Sequence, residues 1–445
     1  MKKILFYLIL FSNINVFGQC WSKLSAGDYH TLAINSNNGK LWAWGANYNG
    51  ELGDGTVLVR STPTLINSSS WLDVSCNGSF SLGIKNDGTL WAWGYNGAGE
   101  LGNGTVIESH LPIQVGVNTN WVQVAAGGNH SAAIRLDGTL WTWGANSDGQ
   151  LGDGTTVYKS IPTQIGTETT WLKIYAGAYN TFAIKQNGTL WAWGNNQYGE
   201  LGDGTHLDKT VPTQIGTGTN WQSISAGTYF TDGIKTDGTL WNWGANLTTL
   251  LGDTPTQIGT GTSWQAVDCG ANHSVAKKAD GTIWAWGNNQ YGALGTNNGV
   301  DSNIPLMVNI TNVQFISCGA YHTLVIKNDN ILWAWGNNVN NQFGNGSTAN
   351  SLIPLAVACP ASVGNTTFVK NEFRVFPNPV QDFLAILKPS DVEIQKIIIT
   401  DLTGKKVTEQ SGDLTSIDLT QLLPGMYYLQ ITFKGGTSLV KFIKQ

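Results

Sequence analysis

Through most of this chain apolar and polar residues alternate in short runs, and glycine, asparagine or aspartate ends each run. Residues 171–220 show the pattern. Trp171-Leu172-Lys173-Ile174-Tyr175-Ala176 alternates and stops at Gly177. Thr181 to Lys185 alternates again, Asn187-Gly188 follows, and Thr189 to Trp193 returns. A polar, glycine-rich stretch runs to Leu201-Gly202-Asp203-Gly204, and Thr213-Gln214-Ile215 comes after Pro212. Alternation with a period of two is the mark of a strand, so this stretch predicts four short strands. Asn187-Gly188 predicts a two-residue hairpin turn with positive φ at both central positions.

The same order recurs along the chain. Trp-x-Trp-Gly stands at Trp42 to Gly45, Trp91 to Gly94, Trp141 to Gly144, Trp191 to Gly194, Trp241 to Gly244, Trp284 to Gly287 and Trp333 to Gly336. Its first Trp returns after 49, 50, 50, 50, 43 and 49 residues. A fixed pattern at such a period marks a repeat architecture. Each unit also has an Asn-Gly or Asp-Gly turn (Asp329-Asn330 in the last) and a late proline, from Pro63 to Pro354. Seven units of four strands predict an all-β, seven-bladed β-propeller, whose closure removes the exposed edges of a linear array. All 20 Trp belong to the repeat: 14 in the pairs, and Trp21, Trp71, Trp121, Trp171, Trp221 and Trp264 at the openings, with Val313 in the seventh. Indoles so tied to the repeat favour packing between blades over a sugar-binding platform.

Charge narrows the range of partners. Only 12% of residues are charged, and residues 20–364 hold 13 Lys/Arg against 21 Asp/Glu. An acidic body argues against nucleic acid and anionic membranes. Lys2 and Lys3 precede apolar Ile4 to Phe11, and Val16-Phe17-Gly18-Gln19 follows. This predicts a secretory signal peptide over 1–19, cleaved near Gly18 or Gln19 and too short to span a bilayer. Gln19 argues against lipidation of Cys20. The mature protein is expected to be a monomer without a transmembrane segment.

No catalytic constellation stands out: there is no Gly-x-Ser-x-Gly, no His-Glu-x-x-His and no phosphate-binding loop. The Gly-Asp-Gly-Thr segments at 53–56, 152–155 and 202–205 lack the further carboxylates of a calcium loop and predict turns. His30, His130, His273 and His322 share a repeat position with Phe80, Asn180 and Phe230, which suits a structural role better than a metal ring. Neither metal nor cofactor is expected. Cys76, Cys269 and Cys318 alternate with alanine and predict small buried residues. Cys20 and Cys359 lie outside that pattern. Repeat register places them like Thr170 and Thr167, so they are the candidates for a disulfide that locks the ring. In an oxidising compartment it would contribute up to about 4–5 kcal/mol in the chain-entropy model.

Gly177-x-x-Asn180, Trp193-Gly194-Asn195-Asn196, Gly199-Glu200-Leu201-Gly202 and Pro212 resemble the repeat of the regulator of chromosome condensation (RCC1) family over about residues 21–358. That family includes nucleotide-exchange factors for a small nuclear GTPase and bacterial binding propellers. A signal peptide separates this chain from any such GTPase, so exchange activity is not expected. After Pro360 the composition changes. Phe376-Pro377-Asn378-Pro379, Asp401-Leu402-Thr403-Gly404, Pro424-Gly425-Met426-Tyr427 and Lys441-Phe442-Ile443-Lys444 resemble the type A C-terminal sorting domain of the type IX secretion system. Alternating strands with Asp/Gly and Pro/Gly turns predict a small β-sandwich there. The expected organisation is a signal peptide at 1–19, a propeller at 20–360, a linker at 361–372 and a sorting domain at 373–445. The sorting-motif residues are Pro377, Asn378, Pro379, Asp401, Gly404, Gly425, Tyr427, Lys441 and Lys444. The resemblance implies handling by the type IX machinery and export, via the periplasm of a Gram-negative cell, to the medium or the outer surface.

Two stretches vary while the frame stays fixed. One precedes the late proline, and the fifth repeat has lost seven residues there. The other is the turn after the first strand, with Tyr29, Phe80, Asn129, Tyr179, Tyr229, Phe230 and Tyr321 as candidate binding residues. Their rings either present an aromatic face to an extracellular protein or glycan, or fill the mouth of the channel. The expected function is a non-enzymatic binding module. A structural or adhesive surface protein is the alternative, and a propeller lyase or glycosidase a more distant one.

Overall fold

A computed structural model describes residues 20–245, 250–359, 373–388, 393–401, 405–412, 414–433 and 436–445. The expected signal peptide, the linker and Gly404 lie outside them. The chain divides after Cys359 into two compact units.

In the first unit, blade 4 shows the building plan. Its strands Trp171–Ala176, Asn180–Lys185, Leu190–Gly194 and Lys209–Gln214 form one antiparallel sheet in chain order. Among the described residues this plan recurs in seven blades between Trp21 and Val357. Blades 1 and 2 are joined by one long strand, Arg60–Asn77, which pairs at Thr64 and Leu65 with blade 1 and from Trp71 onward with blade 2. The first strands of the blades line a central cavity of about 1100 Å³.

The hairpin turns differ from the sequence expectation. Gly188 donates its N–H to Lys185 O (2.8 Å), and only the glycine has positive φ, 77°. Asn187 Oδ1 accepts the N–H and the hydroxyl of Thr189 at 3.1 and 2.7 Å. A side-chain oxygen that captures a nearby backbone donor favours a type I turn closed by a glycine bulge over the two-residue form. Asp87, Asp137, Asp237 and Asp280 make the same pair of bonds.

Each Trp-x-Trp pair divides its labour. The second indole is buried against the preceding blade, and in five blades it donates Nε1–H to a backbone carbonyl there, as Trp93 does to Glu51 O (2.9 Å), Trp143 to Glu100 O (2.8 Å) and Trp44 to Gln342 O (2.8 Å); buried Trp193 Nε1 has no hydrogen-bond partner among the described residues. Gly102 must be glycine for this. Its φ is +70°, and a Cβ would stand 2.7 Å from Trp143 Nε1. In blades 2 to 7 the first indole lies under a cation from the second strand: Lys85 Nζ is 3.3 Å from the Trp91 ring centre, and Arg135 Cζ is 3.7 Å from that of Trp141. In blades 2 to 5 the opening Trp packs edge-on against both, as Trp71 does at 6.5 and 5.6 Å from Trp91 and Trp93. These rings are occupied by the protein itself.

Hydrogen bonds also stitch neighbouring blades around the cavity. Backbone N–H groups of Cys76, Ala126, Ile174, Cys269, Cys318 and Ala26 donate to Ser25, Ser75, Gln123, Ser225, Asp268 and Ser317 at 2.7–3.1 Å. Among the described residues no strand passes between blades 7 and 1. A Cys20–Cys359 disulfide spans that junction, with Cα atoms 5.9 Å apart, beside buried Trp21, Trp44, Phe343 and Val357. Cys76, Cys269 and Cys318 are free and buried; burial pushes the Cys76 thiol up to about 12 and the other two well above their usual value.

The second unit has two sheets around one core. Arg374–Phe376, Phe383–Leu387 and Ser416–Asp418 form the first. Lys406–Ser411, Ile394–Thr400, Gly425–Phe433 and Gly436–Lys444 form the second. Ile397, Ile399, Leu429, Ile431 and Phe442 fill the interior.

Because Cys76, Cys269 and Cys318 are already thiols, a reductant acts on Cys20–Cys359 alone. Reduction, or Cys20→Ser with Cys359→Ser, is expected to lower the thermal midpoint of the propeller, from a contribution of up to about 4–5 kcal/mol. An unchanged midpoint in differential scanning calorimetry would show that packing alone closes the ring.

Candidate functional site

In the blades where both are described, two loops lie side by side at one end of the cavity. In blade 4 they are the turn at 177–179 and the loop at 195–202. Asn195 N–H donates to Tyr179 O (3.0 Å), and Ala46, Ala145 and Asn337 bond likewise to Tyr29, Asn129 and Tyr321 at 2.8–2.9 Å. A buried asparagine shapes the second loop from within. Asn196 Oδ1 accepts Leu201 N–H (2.9 Å), and its amide donates to Asp203 Oδ1 (3.0 Å), Thr205 O (2.9 Å) and Leu207 O (3.3 Å). Asn47, Asn96, Asn146, Asn289 and Asn338 repeat the role. A loop with its polar groups satisfied internally holds its surface side chains in place.

Of the sequence candidates, Tyr29 and Tyr179 are 38% and 42% exposed, Asn129 is exposed, and Tyr229 and Tyr321 are half-buried. These five share one end of the cavity. Phe80 and Phe230 do not join them. Both are buried because they begin second strands, in the place that histidine holds in other blades. The sequence reading missed Tyr48, Tyr95, Tyr198 and Tyr291 of the second loop. Tyr198 packs on Tyr229 with ring centres 4.7 Å apart, and Tyr291 on Tyr321 at 5.5 Å. The repeated Asn-Gln-Tyr-Gly at 196–199 and 289–292 was the available signal. Eight of the propeller's ten tyrosines fall in these two loops, which contain neither Lys nor Arg.

The cations are elsewhere. Lys85, Arg135, Lys185, Lys235, Lys278 and Lys327 stack on indoles at the opposite ends of the second strands. Arg60, Lys159 and Lys209 pair with Asp54, Asp153 and Asp203 at 2.6, 3.3 and 2.9 Å. The Gly-Asp-Gly carboxylates thus face donors of the chain. Among the described residues no group of three or more His, Cys, Asp or Glu is arranged to hold a metal.

Buried ionisable groups support the loops. His30, His130 and His273 reach a hydroxyl of the next blade, Ser81, Thr181 and Thr323, at 3.0, 2.8 and 3.1 Å. Burial pushes their pKa values down to about 3, 4 and 4, so they are neutral at neutral pH. Glu100 works in the opposite sense. Its Oε2 accepts Ala98 N–H (2.7 Å), Oε1 has no hydrogen-bond partner among the described residues, and burial pushes its pKa up to about 7. Gln150 and Gln342 hold the same place without charge and accept the equivalent N–H groups, at 2.9 and 2.8 Å.

In the second unit, Asn378 clamps the last strand: its amide donates to Lys441 O (3.1 Å) and its Oδ1 accepts Ile443 N–H (2.9 Å). Pro377 and Pro379 flank it. Asp401 Oδ1 accepts Lys405 N–H (3.1 Å). Gly425 opens a strand, and Tyr427 donates to Leu423 O (2.9 Å) while stacking on Phe442. Lys441 is exposed and Lys444 buried.

Comparison with known families matches residues 11–263 to the RCC1-like domain. Residues 280–326 match the Regulator of chromosome condensation (RCC1) repeat, and a second model of that repeat matches 264–293 and 313–342. Residues 374–445 match the secretion system C-terminal sorting domain. Comparison with curated protein sequences gives no match. Human WBSCR16 is similar in structure, with TM-score 0.62 and 23% identity over 69% of this chain and 86% of that one. Prp20p from Saccharomyces cerevisiae, described with its binding properties to Gsp1p and histones, gives 0.60 and 23% over 67% and 80%. Yeast RCC1 (Prp20), crystallised with Kap60, gives 0.65 and 18% over 84% and 91%. At these identities the likeness concerns the fold. The sorting domain marks export by the type IX secretion system, to the medium or the cell surface.

The raised pKa of Glu100 sets a pH dependence. A carboxyl whose folded pKa lies above its unfolded value of 4.5 adds stability below pH 4.5 and loses it as pH rises through about 7. Glu100→Gln is therefore expected to raise stability above pH 8 by on the order of 2 kcal/mol, with the gain gone near pH 4. Denaturant titrations at both pH values check this, and an equal effect at both would contradict it.

Proposed function

The chain belongs to the RCC1-like propeller family, and from that membership we propose that it is a secreted, non-enzymatic binding module whose ligand docks on the loops around the channel mouth. One observation carries the reading: Tyr29, Tyr179, Tyr198, Tyr229, Tyr291 and Tyr321 gather at one end of the propeller on loops stiffened by buried asparagines. Tyrosine gives a large contact area with few rotatable bonds, so little ordering entropy is lost on binding. The ligand is an extracellular protein or glycan. The sorting domain engages the type IX machinery, with Asn378 fixing the last strand that carries Lys441 and Lys444.

The test is affinity capture from the extracellular medium with the mature exported protein. A variant with Tyr29, Tyr179, Tyr198, Tyr229 and Tyr321 changed to Ala serves as comparison. The wild type is expected to retain a ligand that the variant loses by about tenfold or more in affinity. Equal retention by both would move the site away from the mouth.

A further inference from the structure

Resting on that reading of the mouth as a binding face, we infer that its ligand is an uncharged polysaccharide chain. The first observation is the aromatic geometry. Tyr198 and Tyr291 hold the same place in the second loops of blades 4 and 6, and each packs on the first-loop tyrosine of the next blade, Tyr229 and Tyr321. Tyr179 lies near the first pair and Tyr29 near the second, close enough to interact electrostatically. The first cluster stands at the junction of blades 4 and 5 and the second at the junction of blades 6 and 7. Partly exposed rings fixed in tilted pairs offer apolar faces to the C–H surfaces of sugar rings, and phenolic hydroxyls to their hydroxyl groups.

The second observation is charge. The loops at the mouth hold no Lys or Arg, and their polar side chains are mostly Asn and Gln, with Asp28 and Asp148 as the acids outside the buried glutamates. An anionic glycan, a phosphate or an acidic peptide would find no cation to meet it. An amide offers donors and acceptors together, which suits neighbouring sugar hydroxyls.

The third observation is the wall behind the mouth. The cavity of about 1100 Å³ mixes the hydroxyls and amides of Ser25, Ser75, Ser225 and Gln123 with apolar side chains such as Ile224 and Phe315. Its two lysines are held by the protein itself: Lys23 pairs with Asp73, and Lys173 donates to Gln222 O (2.6 Å). A polyol there exchanges water for groups of its own kind and keeps apolar surface for its C–H faces.

The experiment is native gel electrophoresis of the mature protein through gels containing dextran, laminarin, mannan or hydroxyethylcellulose, with alginate and polygalacturonate as anionic counterparts. At least one neutral polymer is expected to retard the protein, at low and high salt alike. Tyr198→Ala and Tyr229→Ala are each expected to weaken retention by about tenfold, while Tyr198→Phe, which keeps the ring, retains it. Retardation by none of the neutral polymers overturns the inference. So does retardation confined to the anionic polymers and abolished by salt, or retention unchanged in both Ala variants. If no neutral polymer binds but a captured protein is lost on the tyrosine substitutions, the glycan assignment falls and the mouth remains the binding face. If nothing bound depends on these tyrosines, both readings fall.

Discussion

An indole that crosses a blade boundary to reach a backbone carbonyl is the contact on which this propeller depends. Trp44, Trp93, Trp143, Trp243 and Trp335 each donate to the preceding blade at 2.8–2.9 Å. The carbonyl belongs to the very loop that carries the mouth-facing residues. Packing between blades and loop geometry are therefore one constraint. The indole needs a Cβ-free residue beneath it, which Gly102 and its equivalents supply, and in these five blades it buries a large apolar surface with its only polar group satisfied. Anything that loosens one blade from the next also loosens a loop at the mouth.

Closure of the ring follows from the same economy of polar groups. Serine, glutamine and aspartate side chains take backbone donors across most junctions, so these polar groups of the cavity wall are satisfied between blades. Blades 7 and 1 share no strand among the described residues, and a disulfide stands at that junction. Asp232 departs from the pattern. It replaces the apolar residue found in the other blades, is fully buried, and has a pKa raised by burial to about 7, with Ser274 and Cys269 as donors. Nothing in the structure explains why blade 5 carries a carboxyl there.

Much of this was legible in the sequence. The spacing of Trp-x-Trp-Gly, the hairpin glycines and the late prolines follow from strand periodicity and turn chemistry, which are local. Repeat register paired Cys20 with Cys359, because it sets them three residues apart in one loop once the ring closes. What escaped was decided by direction and depth. Phe80 and Phe230 stand one residue after half-buried turn positions, Ser79 and Tyr229, and that single step carries a side chain from the mouth into the core. Tyr198 and Tyr291 were hidden in a loop that reads as polar and glycine-rich, and only the fold shows it lying against the first-strand turn. The hairpin form was missed because the Asn or Asp side chain replaces a backbone partner.

The two ends of the propeller differ in chemistry. One carries cations held on indoles, and the other carries tyrosines and amides without any cation. The proposed binding face at the mouth rests on this asymmetry, since the cations on the indoles already have partners in the protein. Hydrogen–deuterium exchange of the mature protein with its extracellular ligand tests that placement most directly. Protection is expected at residues 195–200, 227–230, 288–293 and 319–322, with the hairpins at 85–89 and 135–139 unchanged. Protection confined to the hairpins would contradict the account and put the binding face at the opposite end.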